Sequence, residues 1–279
     1  MSRASVSTWA LHSLLGTCAS GRPGDRDARL MDSKPGSLDL LDVPAHLASH
    51  GFRTMELCHF HIPDPSDAYL ATLRSRIEES GIELWSTLID DGDINHPTTG
   101  DRDRQWSTEW IARAGALGSR CVRVVAGKQP TSRQTISRSA EQLLALAEIA
   151  ENYGIRVLTE NWFDTVSTPD ALIELLELTE GRIGLCFDFG NWGGEDKYES
   201  LAAIASYATS CHAKCQYNDG IADAVDFRRC VGLTKQVGFE GPYTLVHGEP
   251  GKVWETLAEC RAMLESDGTL PDEPHSQML

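Results

Sequence analysis

The chain alternates β-prone runs with helix-forming segments eight times along its length, and this alternation limits its fold more than any other feature. Glycine stands just past the end of several predicted helices, as at Gly81, Gly118 and Gly154. Alternating strands and helices favour a parallel sheet with right-handed crossovers. Eight units in a chain of 279 residues therefore predict the α/β class and a single (β/α)8 TIM barrel.

An open, doubly wound sheet is the alternative arrangement. Such a sheet normally carries a glycine-rich phosphate-binding turn after its first strand, and the run Ser7-Thr8-Trp9-Ala10-Leu11-His12 is not one. We predict one barrel domain over residues 1–266, an extended loop over Gly16–Lys34, and a polar C-terminal tail over residues 267–279. The predicted strands are Val6–Leu11, Thr54–Cys58, Leu84–Ile89, Cys121–Val125, Ile155–Thr159, Ile183–Phe187, Cys211–Lys214 and Tyr243–Val246.

The charge, the length of the apolar runs and the N-terminal segment disfavour several classes of protein. The formal net charge of −16 disfavours a nucleic-acid partner, because proteins that bind phosphate backbones normally carry a basic surface. No apolar run reaches the roughly 18 residues that a membrane span needs, and the N-terminus lacks the apolar core of a secretory signal. We therefore expect a cytoplasmic protein with no membrane partner. The eight cysteines include no Cys-x-x-Cys pair and are expected to be reduced and not to bind metal.

Polar side chains stand at the predicted carboxyl end of every strand. In a barrel these ends meet on one face, where active sites lie. This convergence favours an enzyme. The groups are His12, Glu56 with His59 and His61, Asp90 to Asp93 with His96, Arg123, Glu160, Asp188, His212 with Lys214, and His247 with Glu249.

Three of these groups predict a metal site. Alone, Glu160 reads equally well as a loop or capping carboxylate, Asp188 as part of a turn with Gly190, and His212 as a core histidine. Together they bring two carboxylates and one imidazole to the ends of successive strands. This set of oxygen and nitrogen donors suits Mn²⁺, Mg²⁺, Co²⁺ or Zn²⁺. Lys214 and Arg123 point to the same end and could anchor a substrate oxygen, or simply pair with the carboxylates.

Five segments carry a resemblance to a known family. The chain resembles the sugar phosphate isomerase/epimerase family of the xylose-isomerase-like TIM barrel superfamily over nearly its whole length. The segments, each loose alone but fairly specific in order and spacing, are Val6–His12, Gly51–Cys58, Cys186–Asn191, His212-Ala213-Lys214 and Gly238–Tyr243.

The resemblance implies that Glu160, Asp188 and His212 bind a divalent metal ion. It also implies a fourth ligand, a glutamate at the end of strand eight, but that position holds Val246. His247 and Glu249 follow Val246, and we take Glu249 as a candidate fourth ligand. The family often has a histidine three residues after the aspartate of strand six, where this chain has Asn191.

The expected activity is that of a metal-dependent isomerase or epimerase acting on a sugar or sugar-like polyol, by proton abstraction next to a carbonyl. Glu160 is the expected base, and His247 or Glu249 would supply the second acid or base. The expected substrate contacts are His12, Glu56, His59, Arg123, Asn191 and Lys214.

The missing glutamate leaves alternatives open. One is a lyase, dehydratase or carbon-glycoside-cleaving barrel subunit with the same metal site. Another is a degenerate barrel that binds a polyol without catalysis. A metal-dependent repair nuclease of the same superfamily is disfavoured by the acidic charge. The chain could form a homo-oligomer or associate with a different subunit, and the sequence leaves this open.

Overall fold

Eight parallel strands close into a barrel in the computed structural model, which describes residues 2–20, 23–24, 29–33 and 36–270. The strands are β1 (Arg3–Ser7), β2 (Thr54–Cys58), β3 (Glu83–Ile89), β4 (Cys121–Val124), β5 (Arg156–Glu160), β6 (Gly184–Asp188), β7 (Ala208–His212) and β8 (Pro242–Leu245). Neighbours in the barrel are also neighbours in sequence, and β1 closes the ring by pairing with both β8 and β2. The predicted single (β/α)8 TIM barrel of the α/β class is confirmed.

A helix follows each strand and packs on the outside of the barrel. These helices are α1 (Val43–Ser49), α2 (Asp67–Glu79), α3 (Gly100–Leu117), α4 (Arg133–Glu151), α5 (Pro169–Leu178), α6 (Lys197–Ile204), α7 (Ala224–Gln236) and α8 (Val253–Ser266). Side-chain caps fix several of their starts, as at Ser132, where a capping box with Thr135 begins α4. Gly118 ends α3 with φ 78°, a left-handed conformation that glycine adopts without strain.

The barrel core explains why the strands could be read from sequence. Every residue of β2, β4, β6 and β8 is buried, as expected for parallel strands covered by helices on one side and packed against each other on the other. None of the eight cysteines forms a disulfide, and all but Cys18 are buried. Among the described residues, no helix is both long enough and apolar enough to cross a bilayer.

Two predicted strands are misplaced. The first was expected over Val6–Leu11, but β1 ends at Ser7 and Thr8–Leu11 forms a 3-10 turn. Ser7 Oγ accepts a hydrogen bond from the Trp9 backbone N–H and so favours the turn over an extended strand. The seventh was expected over Cys211–Lys214, but β7 begins at Ala208 and ends at His212.

The prediction of an extended loop over Gly16–Lys34 is partly wrong. Thr17–Ser20 and Arg29–Ser33 pair as two antiparallel strands beside the barrel. We call this pair the N-terminal hairpin. Residues 21–22, 25–28 and 34 of the expected loop, and residues 271–279 of the expected tail, lie outside the described residues.

Candidate active site

The carboxyl ends of the strands surround a cavity of about 210 Å³. Glu160, Asp188 and His212 are the last residues of β5, β6 and β7, and all three line the cavity while being at least 95% buried. The sequence prediction that these side chains come together therefore agrees with the structure. A concave cavity in which polar and charged groups converge between apolar and aromatic side chains is typical of a small-molecule site.

His212 lies at the centre of the cluster. Its Nδ1 atom faces two carboxylates, 3.4 Å from Glu160 Oε1 and 3.7 Å from Asp188 Oδ2. Its Nε2 atom lies 2.8 Å from Glu56 Oε2. Glu56 belongs to β2, across the barrel, and is fully buried. The imidazole ring thus lies between the carboxylate of Glu56 on its Nε2 side and those of Glu160 and Asp188 on its Nδ1 side.

Glu56 does not line the cavity, although we expected it to contact substrate. It orients His212 instead. Histidines that bind metal commonly donate their second ring N–H to a carboxylate, which fixes the ring and its tautomer. With Nε2–H donated to Glu56, His212 Nδ1 presents its lone pair to the space shared with Glu160 and Asp188.

Two side chains hold the carboxylate of Glu160. Asn191 Nδ2 donates to Oε1 at 2.7 Å, and Arg123 Nε lies 3.0 Å from Oε2, an ion pair whose angle is not that of a hydrogen bond. Arg123 also pairs with Asp90 through Nη2 and donates from Nη1 to the Ile89 carbonyl at 3.2 Å. Its guanidinium is therefore engaged by protein groups, and Arg123 reaches the cavity as a support for Glu160.

Asp188 is oriented by the backbone that follows it. Its Oδ1 atom accepts from the N–H groups of Gly190 at 2.6 Å and Asn191 at 2.7 Å. Asn161 bonds both backbone groups of Asp188, accepting from its N–H at 2.7 Å and donating to its carbonyl at 3.0 Å. These contacts leave Oδ2 directed toward His212, so the turn expected from Asp188 and Gly190 also serves the site.

The electrostatics of the cluster favour positive charge. Burial lowers the pKa of His212, but Cys186 and the carboxylates of Glu160, Glu56 and Asp188 raise it, and the net result is a pKa well above the usual value. Burial likewise opposes the charge of Arg123, while Asp90 and Glu160 more than offset it and raise its pKa. Buried carboxylates need a compensating charge, and Arg123 and protonated His212 supply it here.

Cys186 lies behind the cluster. Its Sγ and the ligand atoms of Glu160 and His212 all lie within 4.8 Å of one another. Burial raises the pKa of this thiol to about 11, so it is neutral at physiological pH in the absence of a metal ion. Cys186 was expected not to bind metal, yet its position makes it a candidate for a fourth ligand from within the barrel.

Four expected site residues lie away from the cavity. His247 Nε2 pairs with Glu249 Oε1 at 2.9 Å, and both side chains are about one-third exposed. His59 is buried among aromatic rings, with Nε2 3.3 Å from Asp91 Oδ2. His12 contacts His61, with His12 Nδ1 2.9 Å from His61 Nε2. The structure does not bring these four side chains to the cluster around His212.

Val246 does line the cavity, directly after β8. The position that resemblance assigns to a fourth, carboxylate ligand is therefore occupied by an apolar wall. Lys214 lines the same cavity, and no described side chain pairs with its Nζ atom. Its aliphatic chain lies so close to Gly190 that a Cβ there would stand 2.7 Å from Lys214 Cδ.

Comparison with known families settles the relationship of the chain. The family described as xylose isomerase-like TIM barrel matches residues 44–263, well over half of the sequence. The chain belongs to this family. The match includes Glu160, Asp188 and His212. A search of curated proteins finds no match for this xylose isomerase-like barrel.

Solved structures show the same fold at low identity. A xylose isomerase-like TIM barrel protein from Mycobacterium smegmatis, in complex with magnesium, is 16% identical with a TM-score of 0.67, covering 94% of this chain and 96% of its own. An L-ribulose 3-epimerase is 20% identical with a TM-score of 0.65, covering 94% and 86%. A probable 3-DHS dehydratase from Bacillus anthracis is 13% identical with a TM-score of 0.67, covering 94% and 98%. At these identities the likeness establishes the fold alone.

Two cysteines of this xylose isomerase-like barrel, Cys58 and Cys186, were missed as site residues. Cys186 and Asp188 are two apart on β6 and so point to the same side of the sheet. The same period of two relates Glu56 to Cys58, which lines the cavity. The alternation of side chains along a strand was therefore the sequence signal that could have identified Cys58 and Cys186 as site residues. Trp9 and Trp162 also line the cavity, in the segments that follow β1 and β5.

Proposed function

We propose that this protein is a divalent-metal-dependent isomerase that removes a proton from carbon next to the carbonyl of a sugar-like polyol. The observation that carries the proposal is the position of Glu160. Its carboxylate lines the cavity, is fixed by Asn191 and Arg123, and lies against His212 and Asp188. A carboxylate base fixed beside a cation site is the arrangement that enolisation of a carbonyl compound needs.

The residues present fit a metal ion. Glu160 and Asp188 offer oxygens and His212 offers Nδ1, all buried and turned toward a common space. Glu160 Oε1 is the carboxylate oxygen that faces His212 Nδ1, at 3.4 Å, while Oε2 is paired with Arg123. Such a donor set suits Mn²⁺, Mg²⁺, Co²⁺ or Zn²⁺. When bound, the ion would polarise the substrate carbonyl and stabilise the negative charge that develops as the neighbouring C–H bond ionises.

The roles of the remaining residues follow from their contacts. Glu160 takes the proton from carbon, and Asn191 and Arg123 keep its carboxylate in one orientation through the reaction. Lys214 binds a substrate oxygen, since its ammonium group lines the cavity without a described partner. Trp9 and Trp162 cover apolar faces of the sugar and limit the access of water.

The cavity wall favours isomerisation over epimerisation. Inversion at carbon needs a proton donor on each face of the substrate, whereas a carbonyl shift along the chain can use one base that returns the proton to the same face. Val246 supplies no carboxylate on its side of the cavity. Of the other carboxylates there, Asp90 is paired with Arg123, and Asp188 Oδ1 is taken by backbone N–H groups. Among the described carboxylates that line the cavity, Glu160 is therefore the one available to act as a base.

A dehydratase is the second candidate, and Lys214 is the observation that favours it. Dehydration begins with the same proton abstraction by Glu160 and then needs an acid for the departing hydroxyl. Lys214 lines the cavity, and its ammonium group could donate that proton to the leaving oxygen. This reaction also needs no carboxylate at Val246.

Deuterium exchange tests the proton abstraction that both candidate reactions share, whichever product forms. The metal-loaded protein would be incubated in D₂O with aldoses, ketoses and cyclic keto-polyols, and exchange would be followed by proton NMR. We expect deuterium next to the carbonyl with wild type and a loss of about 10²–10⁴-fold in Glu160→Gln. The matched control is Glu141→Gln, an exposed residue of α4 that should exchange at the wild-type rate.

The products distinguish the candidates. A moved carbonyl with deuterium retained on one face supports the isomerase, and an enone with release of water supports the dehydratase. Exchange that persists in Glu160→Gln at the rate of Glu141→Gln would refute the role of Glu160.

A further inference from the structure

A second group of metal-binding side chains lies beside the cavity. His12 Nδ1 and His61 Nε2 are 2.9 Å apart, and the thiol of Cys18 completes a set of three potential ligand atoms that all lie within 4.8 Å of one another. We call His12, Cys18 and His61 the Cys18 cluster. It is separate from the cluster around His212, and no step of the proposed reaction uses it.

Three different elements supply the Cys18 cluster. His12 begins a short helix after β1, Cys18 lies on the first strand of the N-terminal hairpin, and His61 ends the 3-10 turn that follows β2. The fold therefore assembles the group, which is not a by-product of neighbouring positions in sequence. His61 is 98% buried, and His12 and Cys18 are partly exposed, so solvent can deliver an ion.

The ring of His61 is held from behind. Its Nδ1 atom lies 2.9 Å from Thr8 Oγ1, and the same oxygen accepts the backbone N–H of Cys58 at 2.9 Å. With Nδ1–H donated to Thr8, the lone pair of His61 Nε2 points toward His12 and Cys18. A hydrogen bond to the second ring nitrogen is the usual support for a histidine that binds metal.

We propose that the Cys18 cluster binds Zn²⁺. Two imidazole nitrogens and one thiolate form a borderline-soft donor set that suits zinc, in contrast to the oxygen-rich set around His212. Binding releases the thiol proton of Cys18 to solvent as the Zn–S bond forms, and the ring proton of His12 shifts from Nδ1 to Nε2 to free the Nδ1 lone pair. A fourth position is left for water. Zn–N bonds of about 2.0–2.1 Å at tetrahedral angles place two nitrogens about 3.4 Å apart, so the rings need to separate by only about 0.5 Å.

The position of the cluster indicates what the ion would do. Cys18 packs against Cys58, Phe60 and Leu88, and two of these, Cys58 and Leu88, line the cavity. The ring of Trp9, which also lines the cavity, stacks on His12 with centroids 5.5 Å apart. Zinc at this point would tie the N-terminal hairpin to the cavity wall. The ion would therefore act on the reaction through the shape of the cavity wall.

Thiol protection tests the proposal on the unmodified full chain. Cys18 is the partly exposed cysteine and the other seven are buried, so iodoacetamide should alkylate Cys18 first in the native, chelated protein. Peptide mass spectrometry would follow each cysteine. Zn²⁺ at about ten times its Kd should slow the alkylation of Cys18 about tenfold, because about a tenth of the sites remain free. Mg²⁺, which prefers oxygen ligands, should leave the rate unchanged.

Cobalt substitution identifies the thiolate directly. Co²⁺ bound to sulfur gives a thiolate-to-metal charge-transfer band in the near ultraviolet. We expect that band in wild type and in Cys186→Ser, which removes the other candidate thiolate, and its loss when Cys18→Ser is added to Cys186→Ser. The variant His12→Gln, at a partly exposed position, should lose most of the zinc protection while keeping the wild-type circular dichroism spectrum.

Two results would overturn the proposal. One is alkylation of Cys18 at the same rate with and without Zn²⁺, which would mean that His12 and His61 form only a neutral hydrogen-bonded pair. The other is a charge-transfer band that survives in Cys18→Ser and disappears in Cys186→Ser, which would place the soft metal at the cluster around His212.

Discussion

Glu56 should control the metal affinity of a cavity that it does not line. Its Oε2 atom is 2.8 Å from His212 Nε2, and its side chain is fully buried. In Glu56→Gln the amide oxygen can still accept the ring N–H, but the negative charge is lost. Hydrogen bonds to charged groups contribute about 1.5–3 kcal/mol and neutral ones about 0.5–1.5 kcal/mol, so the expected loss is about 1–1.5 kcal/mol. This corresponds to about tenfold weaker binding of Mn²⁺, at the lower end of the range for such supporting residues.

A competing effect acts on the proton of His212. Burial lowers the pKa of His212, and the surrounding groups, Glu56 among them, raise it above its usual value in the metal-free protein. Glu56→Gln removes part of that increase, so the proton competes less with the metal ion. This gain offsets the loss at low pH and fades as pH rises. The affinity gap between wild type and variant should therefore be wider at a pH above the raised pKa of His212 than at a pH below it.

Isothermal titration calorimetry of the chelated protein with Mn²⁺ measures both effects. Glu141→Gln removes the same charge from an exposed position and should bind Mn²⁺ like wild type at both pH values. Glu56→Ala should bind less tightly than Glu56→Gln, because it leaves the buried ring N–H of His212 without an acceptor. Equal Mn²⁺ affinity for wild type and Glu56→Gln at the higher pH would refute the orienting role of Glu56.

Three further predictions use other residues of the structure. Lys214→Met should raise KM about 10–100-fold by removing a charged hydrogen bond to substrate, with little change in thermal unfolding. Gly190→Ala should also raise KM, because its Cβ would lie only 2.7 Å from Lys214 Cδ and would push that side chain aside. Val246→Glu should tighten Mn²⁺ binding about tenfold in calorimetry by adding a carboxylate to the cavity, and an unchanged Kd would mean that this position does not face the ion. Burial, with a smaller effect of His12, lowers the pKa of His61 to about 3. The folded-state pKa lies below the unfolded value of about 6.5, so the stability from neutral His61 is present above that pH and is lost as pH falls. Denaturant unfolding of chelated wild type should lose about 2 kcal/mol more than His61→Gln between pH 7 and pH 5, and parallel curves would contradict the assignment.

The sequence predicted the fold well because the barrel strands are buried on both sides. The predicted bounds of β2, Thr54–Cys58, match the structure. The 3-10 turn at Thr8–Leu11 was missed because its β-branched and aromatic residues also suit a strand. The hydrogen bond from Trp9 N–H to Ser7 Oγ decides between the two, and a sequence pattern does not contain it.

The site was predicted less completely than the fold, because position in the chain does not give side-chain direction. His247 follows Val246 by one residue, yet Val246 lines the cavity and His247 pairs with Glu249 outside it. Glu56 was expected to face substrate, but its partner is His212, a residue far along the chain that closure of the barrel brings beside it. Contacts between distant strands depend on register, which a single sequence does not specify.

Glu56 has a role in both states of the cluster around His212. Without metal, the imidazolium of His212 compensates Asp188 and shares the compensation of Glu160 with Arg123, and Glu56 stabilises the imidazolium from behind. In the metal-loaded state that we propose, His212 gives up one proton, and the cation takes its place between the same carboxylates. Glu56 then accepts the remaining ring N–H and keeps Nδ1 directed at the ion. Loading would exchange the single positive charge of the imidazolium for the double charge of the ion, with Glu160 still held by Asn191 and Arg123 as the base that takes a proton from carbon.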